Sequence, residues 1–422
     1  MVVTGRTYPK TFLRTRPFSG TTESTNPSNG VGVLFEDGSR FTGTLTNSGT
    51  INGGRDGVNF GNGGTARGSL VNEEGGVITS ASRAVNIGGD RNTIRNQGLI
   101  TTSADPRNGT IYADQSANNF RIINDDSGII DVGRGLNGDA ISLQLGANVR
   151  GSILNRGTVR GRGVADGEPN NATNQATAIR LYHGDQAGPL SVFNGSIRNL
   201  GAGILSSDQG STVLIENQVE LNGDIINNGS ILARGDGGTG IEVQGSLTGT
   251  ITNRGLIRAT ESAIDGSNAS EALDVRNSGV IVGDVLLSDF DDVFNGANGI
   301  VRGEIQGLAG DDILSGGRLR DRLNGGVGHD TLTGGAGRDT FIIEQFNGND
   351  VITDFQNGVD RVDISALNFS DAQLSSVLGA AEQQGNDVLV TFSSVSQSPT
   401  LQDSVLLQNF QLNQLGASDF VR

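Results

Sequence analysis

A short phrase that returns about every 25 residues constrains the fold of this chain more than any other feature. Each copy begins with Asn, continues through one or a few residues to Gly, and ends one residue later with Ile or Val. The copies begin at Asn47, Asn72, Asn96, Asn124, Asn155, Asn227, Asn253 and Asn277, with a degenerate copy at Asn199. A recurring phrase of this period is typical of a stacked repeat fold. The one long step between copies contains segment 161–178, which is predicted to protrude as a loop.

Short alternating segments lie between the copies. Examples are AVNI from Ala84, AISL from Ala140 and AIRL from Ala178, each with apolar residues two apart. Such alternation between Gly and Asn is the signal of a short strand, and no window has convincing helical spacing. Three strands in about 25 residues predict an all-β chain, a parallel β-helix whose coils stack about 4.8 Å apart. A β-sandwich would need longer strands and no phrase of this period.

The composition suits such a fold. Gly accounts for 66 of 422 residues, hydrophobic residues are 34% and aromatic residues 5%, which is too little for an ordinary globular core of this length. Stacked Ile, Val and Leu would instead form a narrow core, with Asn residues at one corner forming a hydrogen-bonded ladder. The net charge of −16 argues against nucleic acid as a partner and suits divalent cations. The chain has no Cys, which excludes disulfides and thiolate metal sites.

From Gly307 the period changes to nine residues. Four contiguous segments read GLAGDDILS, GGRLRDRLN, GGVGHDTLT and GGAGRDTFI. Asp recurs at Asp312, Asp321, Asp330 and Asp339, and a large apolar residue at Leu314, Leu323, Leu332 and Phe341. These segments resemble the nonapeptide G-G-x-G-x-D-x-U-x of the RTX (repeats-in-toxin) family. The resemblance implies a β-roll in which two nonapeptides complete one coil of 18 residues.

The resemblance also implies calcium as the cofactor. Calcium is a hard cation that takes six to eight oxygen ligands, which Asp carboxylates and turn carbonyls can supply. Asp312 with Asp330, and Asp321 with Asp339, are expected to flank ions on opposite edges of the roll. The turn glycines assigned to these sites are Gly310, Gly328 and Gly337.

Two departures and four flanking residues bear on the number of ions. Leu308 and Leu319 stand where the pattern has Gly, so the site around Leu319 is expected to be weak or empty. Upstream, Asp292 lies in a degenerate half-repeat. Downstream, Asp350 and Asp354, with Asp360 nearby, either cap the last coil or add ligands; they are equally compatible with ordinary turn residues. Two or three ions are expected. The metal ligands are thus assigned to Asp312, Asp321, Asp330, Asp339, Asp292, Asp350 and Asp354 and to the three turn glycines.

Four regions follow from these patterns. They are a basic arm or cap over 1–30, a parallel β-helix over 31–300, the calcium β-roll over 301–365 and a C-terminal cap with a secretion signal over 366–422. The N-terminus has no apolar signal-peptide core, and the ending LGASDFVR resembles the type I secretion signals of RTX proteins. The resemblance therefore implies a secreted protein that folds on meeting calcium outside the cell.

The sequence gives little support for catalysis. It contains neither the H-E-x-x-H of a metalloprotease nor the G-x-S-x-G of a lipase, and its two His residues are His183 and His329. One conceivable cluster consists of Tyr112, Asp114, Arg180, Tyr182, His183 and Asp185, which lie in equivalent strands of nearby coils. The expectation is a non-enzymatic structural protein of the cell surface or extracellular matrix that self-assembles into a layer or filament. The alternatives are an adhesin for carbohydrate or cell surfaces, and a polysaccharide lyase or epimerase.

Overall fold

The computed structural model describes residues 43–61, 67–104, 109–133, 136, 138–163, 176–184, 190–392 and 403–422, together with short strands between residues 6 and 41. The chain divides into two compact units, residues 1–249 with 256–261, and residues 250–255 with 262–422. Of the predicted 1–30 arm the structure describes only four short strands between residues 6 and 23, which pair in parallel with strands between residues 31 and 53. Most of the 161–178 loop falls outside the described residues. No helix in the described parts of the chain is long and apolar enough to cross a membrane.

The first unit consists of short strands, three to a coil. Up to residue 249 the strands are Arg6–Tyr8, Thr11–Phe12, Arg16–Phe18, Thr21–Glu23, Val31–Phe35, Arg40–Phe41, Thr44–Asn47, Thr50–Gly53, Asp56–Asn59, Ser69–Asn72, Val77–Ser80, Arg83–Ile87, Thr93–Asn96, Leu99–Thr102, Ile111–Ala113, Phe120–Asn124, Ile129–Asp131, Ile141–Leu145, Val149–Asn155, Thr158–Gly161, Ile179–His183, Ser191–Asn199, Ile204–Ser207, Val213–Ile215, Val219–Asn222, Ile225–Asn227, Ser230–Ala233, Ile241–Val243 and Ser246–Leu247. The strands of successive coils in this unit pair in parallel, for example Ile78 with Ile100 and Val85 with Ile111. The predicted all-β parallel β-helix is confirmed.

An asparagine ladder runs along one corner of the first unit. The Asn that opens each repeat phrase donates through Nδ2 to Oδ1 of its counterpart in the next coil, at 2.8 Å in each step. The members are Asn47, Asn72, Asn96, Asn124, Asn155, Asn199 and Asn227. All are at most 1% exposed, so each amide has exchanged water for protein partners. The ladder predicted from the recurring Asn is therefore present.

Removing a central rung is expected to destabilise the first unit. Asn124 accepts from Asn96 and donates to Asn155, so Asn124→Ala takes a partner from each of these two buried amides. Oδ1 of Asn155 loses the Asn124 donor, and Nδ2 of Asn96 keeps only its backbone acceptors. At about 1–3 kcal/mol for each buried group that loses a partner, the free energy of unfolding should fall by about 3 kcal/mol. Urea denaturation measures this loss. The control Asn148→Ala removes an exposed amide bond to Asn194 and should cost less than about 0.5 kcal/mol. Equal losses in the two variants would contradict the role of the ladder.

The second unit continues with short strands and adds the one α-helix of the described residues. From residue 250 on, the strands are Thr250–Asn253, Leu256–Asp265, Asp274–Asn277, Val280–Leu286, Val293–Asn295, Ile300–Arg302, Glu304–Ala309, Ile313–Ser315, Arg322–Val327, Thr331–Thr333, Thr340–Ile342, Asn349–Ile352, Arg361–Asp363, Glu382–Gln384, Asp387–Thr391, Ser404–Leu407 and Phe420–Val421. The α-helix is Asp371–Gly379, and 3-10 turns lie at Ser365–Leu367, Leu412–Gln414 and Ala417–Asp419. The helix begins with a capping box between Ser370 and Gln373. The sequence pattern did not predict this helix, because the helix is only nine residues long.

The nonapeptides form a roll with two inner columns. The apolar residue of each nonapeptide packs on the one 18 positions away, as in the pairs Leu323 with Phe341 and Leu314 with Leu332. All four side chains are fully buried. Successive nonapeptides therefore lie on opposite sheets of the roll, and their turns form its two edges. The antiparallel pairing of the strands 387–391 and 404–407 closes one of the sheets.

Candidate metal centre

The repeated Asp residues lie in two columns at the two edges of the roll. In each column the backbone N–H of one Asp donates to Oδ1 of the Asp in the next coil. The distances are 2.8 Å from Asp292 to Asp312, 2.9 Å from Asp312 to Asp330, 3.1 Å from Asp330 to Asp350, 2.9 Å from Asp321 to Asp339 and 3.0 Å from Asp339 to Asp360. We call Asp292, Asp312, Asp330 and Asp350 edge one, and Asp321, Asp339 and Asp360 edge two. The structure thus stacks the residues that the nine-residue spacing places together.

Four of these carboxylates each keep one oxygen without a hydrogen-bond donor. The oxygens are Oδ2 of Asp312, Oδ2 of Asp330, Oδ2 of Asp339 and Oδ1 of Asp321. The four residues are at most 2% exposed. A buried carboxylate without a partner is unfavourable unless a cation compensates it. The four orphaned oxygens, stacked in pairs on each edge, therefore fit a hard divalent cation.

The turn glycines make room for these oxygens. A Cβ on Gly307 or on Gly325 would lie 2.0 Å from Oδ2 of the Asp five residues later, which is too close for any side chain. Gly310 and Gly337 have φ of 115° and 146°, a region that favours glycine. A Cβ on Gly328 would lie 1.9 Å from the carbonyl oxygen of Gly310, so these two turns stack with their backbones in close approach. Carbonyl groups of such turns are available as the neutral ligands that calcium takes beside carboxylates.

The two departures from the repeat have different structural consequences. Leu308 adopts φ of 78° in the place of a glycine, which stores backbone strain. Leu319 is 48% exposed in the turn that opens edge two. In this turn Oδ2 of Asp321 accepts from the N–H of Gly317 at 2.7 Å, so this carboxylate is held differently from the others. The geometry is consistent with the expectation of a weaker site around Leu319.

The flanking Asp residues differ from the central four because donors occupy both of their oxygens. Asp292 accepts from Ser288 and from the N–H of Leu273. Asp350 accepts from Asn347 and from the N–H of Asp330. Asp354 accepts from the N–H groups of Gly334 and Gly335, each at 2.8 Å. This geometry favours the capping alternative for Asp350 and Asp354. It argues against the predicted role of Asp292 as a metal ligand, because donors occupy both of its oxygens.

A second, exposed column lies beside edge one, and sequence reasoning missed it. The N–H of Asp311 donates to Asp291, the N–H of His329 donates to Asp311, and the N–H of Asn349 donates to Nδ1 of His329. Each residue immediately precedes a member of edge one, so its position in the repeat is the only sequence signal. His329 is exposed and serves as a turn residue, as the sequence indicates.

Burial shifts the pKa values of the stacked carboxyl groups upward. It raises the pKa of Asp312 to about 8; the N–H of Asp292 opposes this, and the negative charges of Asp330 and Asp292 add to it. Burial likewise raises the pKa of Asp321, Asp330 and Asp339 to about 6, and that of Asp350 to about 7. Without a bound cation, the folded roll therefore resists ionisation of Asp312 and Asp350 near neutral pH, and of the other three carboxyl groups below about pH 6.

These shifts predict opposite pH dependences with and without calcium. A carboxyl group whose pKa is raised by folding stabilises the fold below its unfolded pKa of about 4, and that stability is lost as pH rises through the folded pKa. Calcium-stripped protein should therefore retain more β-structure at pH 5 than at pH 8. Because calcium needs ionised ligands, its affinity should fall by roughly tenfold per pH unit for each proton taken up below pH 6. Circular dichroism of stripped and loaded protein measures both trends. Greater stability of the stripped protein at pH 8 than at pH 5 would contradict the argument.

The aromatic cluster noted in the sequence lies on one face of the first unit and is largely self-contained. Tyr112 contacts Gln144 and Tyr182, and the Arg180 guanidinium lies 4.6 Å from the centroid of the Tyr182 ring. Arg180 also pairs with Asp139 and Glu216. Burial raises the pKa of both tyrosines.

Two remaining members of that cluster, His183 and Asp114, lie within the described residues. His183 contacts Ser191 through Nδ1 at 2.7 Å. Burial raises the pKa of Asp114, and Asp185 lies outside the described residues. A tyrosine that removes a proton needs a lowered pKa, so the raised pKa values of Tyr112 and Tyr182 do not favour either of them as a catalytic base.

Carboxylate pairs with turn carbonyls, rather than a cluster of acidic side chains, define the candidate site. No group of three or more Asp, Glu, His or Cys side chains that could hold a metal occurs in the part of the chain that the structure describes. The first unit and the roll together define the class of protein, a parallel β-solenoid with a calcium-type β-roll.

Comparison with known proteins supports the same assignment. Residues 295–415 match the family model described as Peptidase M10 serralysin C terminal. This part of the chain is an RTX-type domain, and the serralysin-type domains of that family bind calcium in the β-roll. No curated protein matches the chain at a significant level.

Two solved structures illustrate the likeness. The AlgE6R2 subunit of the mannuronan C5-epimerase from Azotobacter vinelandii is 30% identical, and the match covers 34% of this chain and 92% of that subunit with a TM-score of 0.26. The AlgE6R3 subunit of the same enzyme is 24% identical, and the match covers 38% of this chain and 83% of that subunit with a TM-score of 0.23.

Proposed function

We propose that this protein is a non-enzymatic structural component of the cell surface or extracellular matrix, which folds on binding calcium after export and then assembles with further copies. The observation that carries the proposal is the set of four buried Asp carboxylates with one unpartnered oxygen each. Those charges oppose folding when calcium is scarce and hold the roll together when it is plentiful. Folding is thereby delayed until the chain is outside the cell.

Asp312 with Asp330 on edge one, and Asp339 with Asp321 on edge two, are the residues that would hold calcium in this proposal. Bound calcium would supply the positive charge that neutralises each pair. The carbonyl groups around Gly310, Gly328 and Gly337 would complete the oxygen set. Asp292, Asp350 and Asp354 would close the ends of the columns, since donors already occupy their oxygens.

The packing of the C-terminal segment supports export before folding. The last strand, Phe420–Val421, pairs with the strand 361–363 of the roll, and Phe420 is 8% exposed. Asp419 is 1% exposed and accepts from the N–H of Gly416. A secretion signal in this segment would be accessible only while the roll is unfolded.

We propose that the chain is organised in the four regions predicted from the sequence. They are an arm or cap over 1–30, the β-helix over 31–300, the calcium β-roll over 301–365 and the C-terminal cap with the secretion signal over 366–422.

A calcium titration of the exported protein, with and without anionic polysaccharide, tests this function. Calcium should raise the β-content and produce assemblies visible by electron microscopy, with no turnover of the polysaccharide. Depolymerisation or epimerisation that is lost in Tyr182→Phe would replace the proposal with the enzyme alternative. Glycan-array binding without assembly would replace it with the adhesin alternative.

A further inference from the structure

Two turns of the roll carry a large apolar side chain at a position where the nonapeptide pattern has glycine. Phe290 and Leu319 each lie two residues before a repeat Asp, and they are 44% and 48% exposed. We call residues 289–291 the acidic turn and residues 318–320 the basic turn. Neither apolar side chain contributes to the buried core or supplies an oxygen to calcium, so the fold of the roll does not account for them. The other repeats have glycine at this position, namely Gly310, Gly328 and Gly337.

The charges beside these two side chains are opposite in sign. In the acidic turn the neighbours are Asp289 and Asp291, and in the basic turn they are Arg318 and Arg320. All four are exposed, and none forms an ion pair with a residue that the structure describes. One turn therefore presents an apolar side chain between two carboxylates, and the other presents an apolar side chain between two guanidinium groups. The two turns are complementary in charge.

The two turns lie on opposite edges of the roll, within the second unit. The acidic turn stacks on Gly310 of edge one, where a Cβ would lie 2.5 Å from the backbone carbonyl carbon of Phe290. The basic turn stacks on Gly337 of edge two, where a Cβ would lie 2.6 Å from the backbone carbonyl carbon of Leu319. The turns of one roll cannot meet each other, so their complementarity can be used only between two copies.

A cavity beside the basic turn provides room for an aromatic side chain. It has a volume of about 540 Å³ and is lined in part by the basic turn and by Arg302. Cavities of roughly 300–1,000 Å³ hold whole small molecules, so one aromatic ring fits. Two carboxylates also line the cavity, but Glu304 pairs with Arg322 at 3.2 Å and Asp284 accepts the N–H of Glu304 at 2.8 Å. The basic turn and Arg302 thus remain available to an acidic partner.

We propose that the acidic turn of one copy binds the basic turn of the next copy, with Phe290 entering the cavity, an inference that rests on the self-assembly in the proposed function. Each copy uses two different surfaces, so the contact is heterologous and can continue from copy to copy in an open row. Such rows fit a layer or filament. The contact also gives a role to Leu319, which departs from the repeat and weakens the neighbouring calcium site.

Opposite charges, rather than a large buried area, give this contact its specificity. Screening over about 8 Å at physiological ionic strength means that the charges facing each other decide the contact, rather than the net charge of −16. Further charges of the same sign stack one coil away, Asp311 on Asp291 and Arg338 beside Arg320. Because exposed ion pairs each contribute little, a single contact is weak and a row needs many of them.

Two charge-reversed variants of the full chain test the inference. One carries Arg318→Glu with Arg320→Glu, and the other carries Asp289→Arg with Asp291→Arg. Each alone places like charges on both turns, so in millimolar calcium each should need at least about tenfold more protein than wild type to assemble. Light scattering and electron microscopy measure this concentration. An equimolar mixture should assemble within about threefold of the wild-type concentration, because every reversed turn then meets a turn of opposite charge.

A matched control changes the net charge without touching either turn. Arg254→Glu with Arg258→Glu alters two exposed arginines and should leave the assembly concentration within about twofold of wild type. Calcium-dependent circular dichroism shows whether each variant folds. Phe290→Ser keeps all charges, so it serves if a reversed variant fails to fold, and it should raise the assembly concentration about fivefold or more.

The outcomes separate this inference from the function on which it rests. Assembly of both reversed variants at the wild-type concentration, or failure of the mixture when both variants fold, would overturn the inference alone. Binding of polygalacturonate to wild type but not to the arginine variant, with no assembly of the mixture, would assign the basic turn to an acidic polysaccharide and also overturn it. A wild-type protein that folds with calcium but stays monomeric would overturn the proposed assembly itself.

Discussion

Asp330→Asn is expected to abolish binding of at least one calcium ion per chain and to raise the calcium concentration for half-maximal folding more than tenfold. The asparagine can still accept the N–H of Asp312 through its remaining oxygen, a bond of 2.9 Å in the wild type. What it lacks is the charged Oδ2 that has no internal donor. Since calcium affinity follows the number of charged ligands, this one change separates ion binding from backbone support. Isothermal titration calorimetry counts the ions, and circular dichroism gives the folding midpoint.

Asp311→Asn is the matched control for that experiment. It removes one carboxylate charge from the exposed column beside edge one. The asparagine keeps the oxygen that accepts from the N–H of His329. The number of ions should stay as in the wild type, and the midpoint should move by less than about twofold. If Asp330→Asn and Asp311→Asn bound the same number of ions with the same midpoint, the assignment of Asp330 as a ligand would be wrong.

Gly325→Ala should weaken calcium binding about as much as Asp330→Asn does, without changing any charge. The added Cβ would lie 2.0 Å from Oδ2 of Asp330 and 2.6 Å from its Cβ, so the Asp330 side chain must move. Displacement of one carboxylate oxygen is expected to raise the half-maximal calcium concentration more than tenfold. Gly379→Ala, where a Cβ meets nothing within 4 Å, is the control and should be neutral. Wild-type calcium binding by Gly325→Ala would show that edge one tolerates a rearranged carboxylate and would contradict the site geometry.

Much of the fold is predictable because stacked coils turn sequence periodicity directly into contacts. Asn124 bonds to Asn96 and Asn155 because each opens the same phrase in its coil. Leu323 packs on Phe341 because 18 residues complete one turn of the roll. In both cases the partner is set by the period, so no knowledge of long-range packing is needed.

The parts that escaped prediction depend on where the period ends or changes length. Asp354 binds the N–H groups of Gly334 and Gly335 only because the coil after the last nonapeptide has a different length. The contact between Tyr112 and Gln144 spans 32 residues, a coil length that the repeat does not specify. The capping box of the helix, Ser370 with Gln373, is a four-residue signal outside any repeat. Which aspartate oxygens keep no donor also depends on such local geometry.

One calcium titration tests the central claim most directly. Metal-free full-length protein at neutral pH is titrated with calcium, while calorimetry counts the bound ions and circular dichroism follows the β-content. The account predicts uptake of two or three ions and a cooperative gain of β-structure that EGTA reverses. Full β-content in excess EGTA, together with no detectable ion uptake, would contradict it.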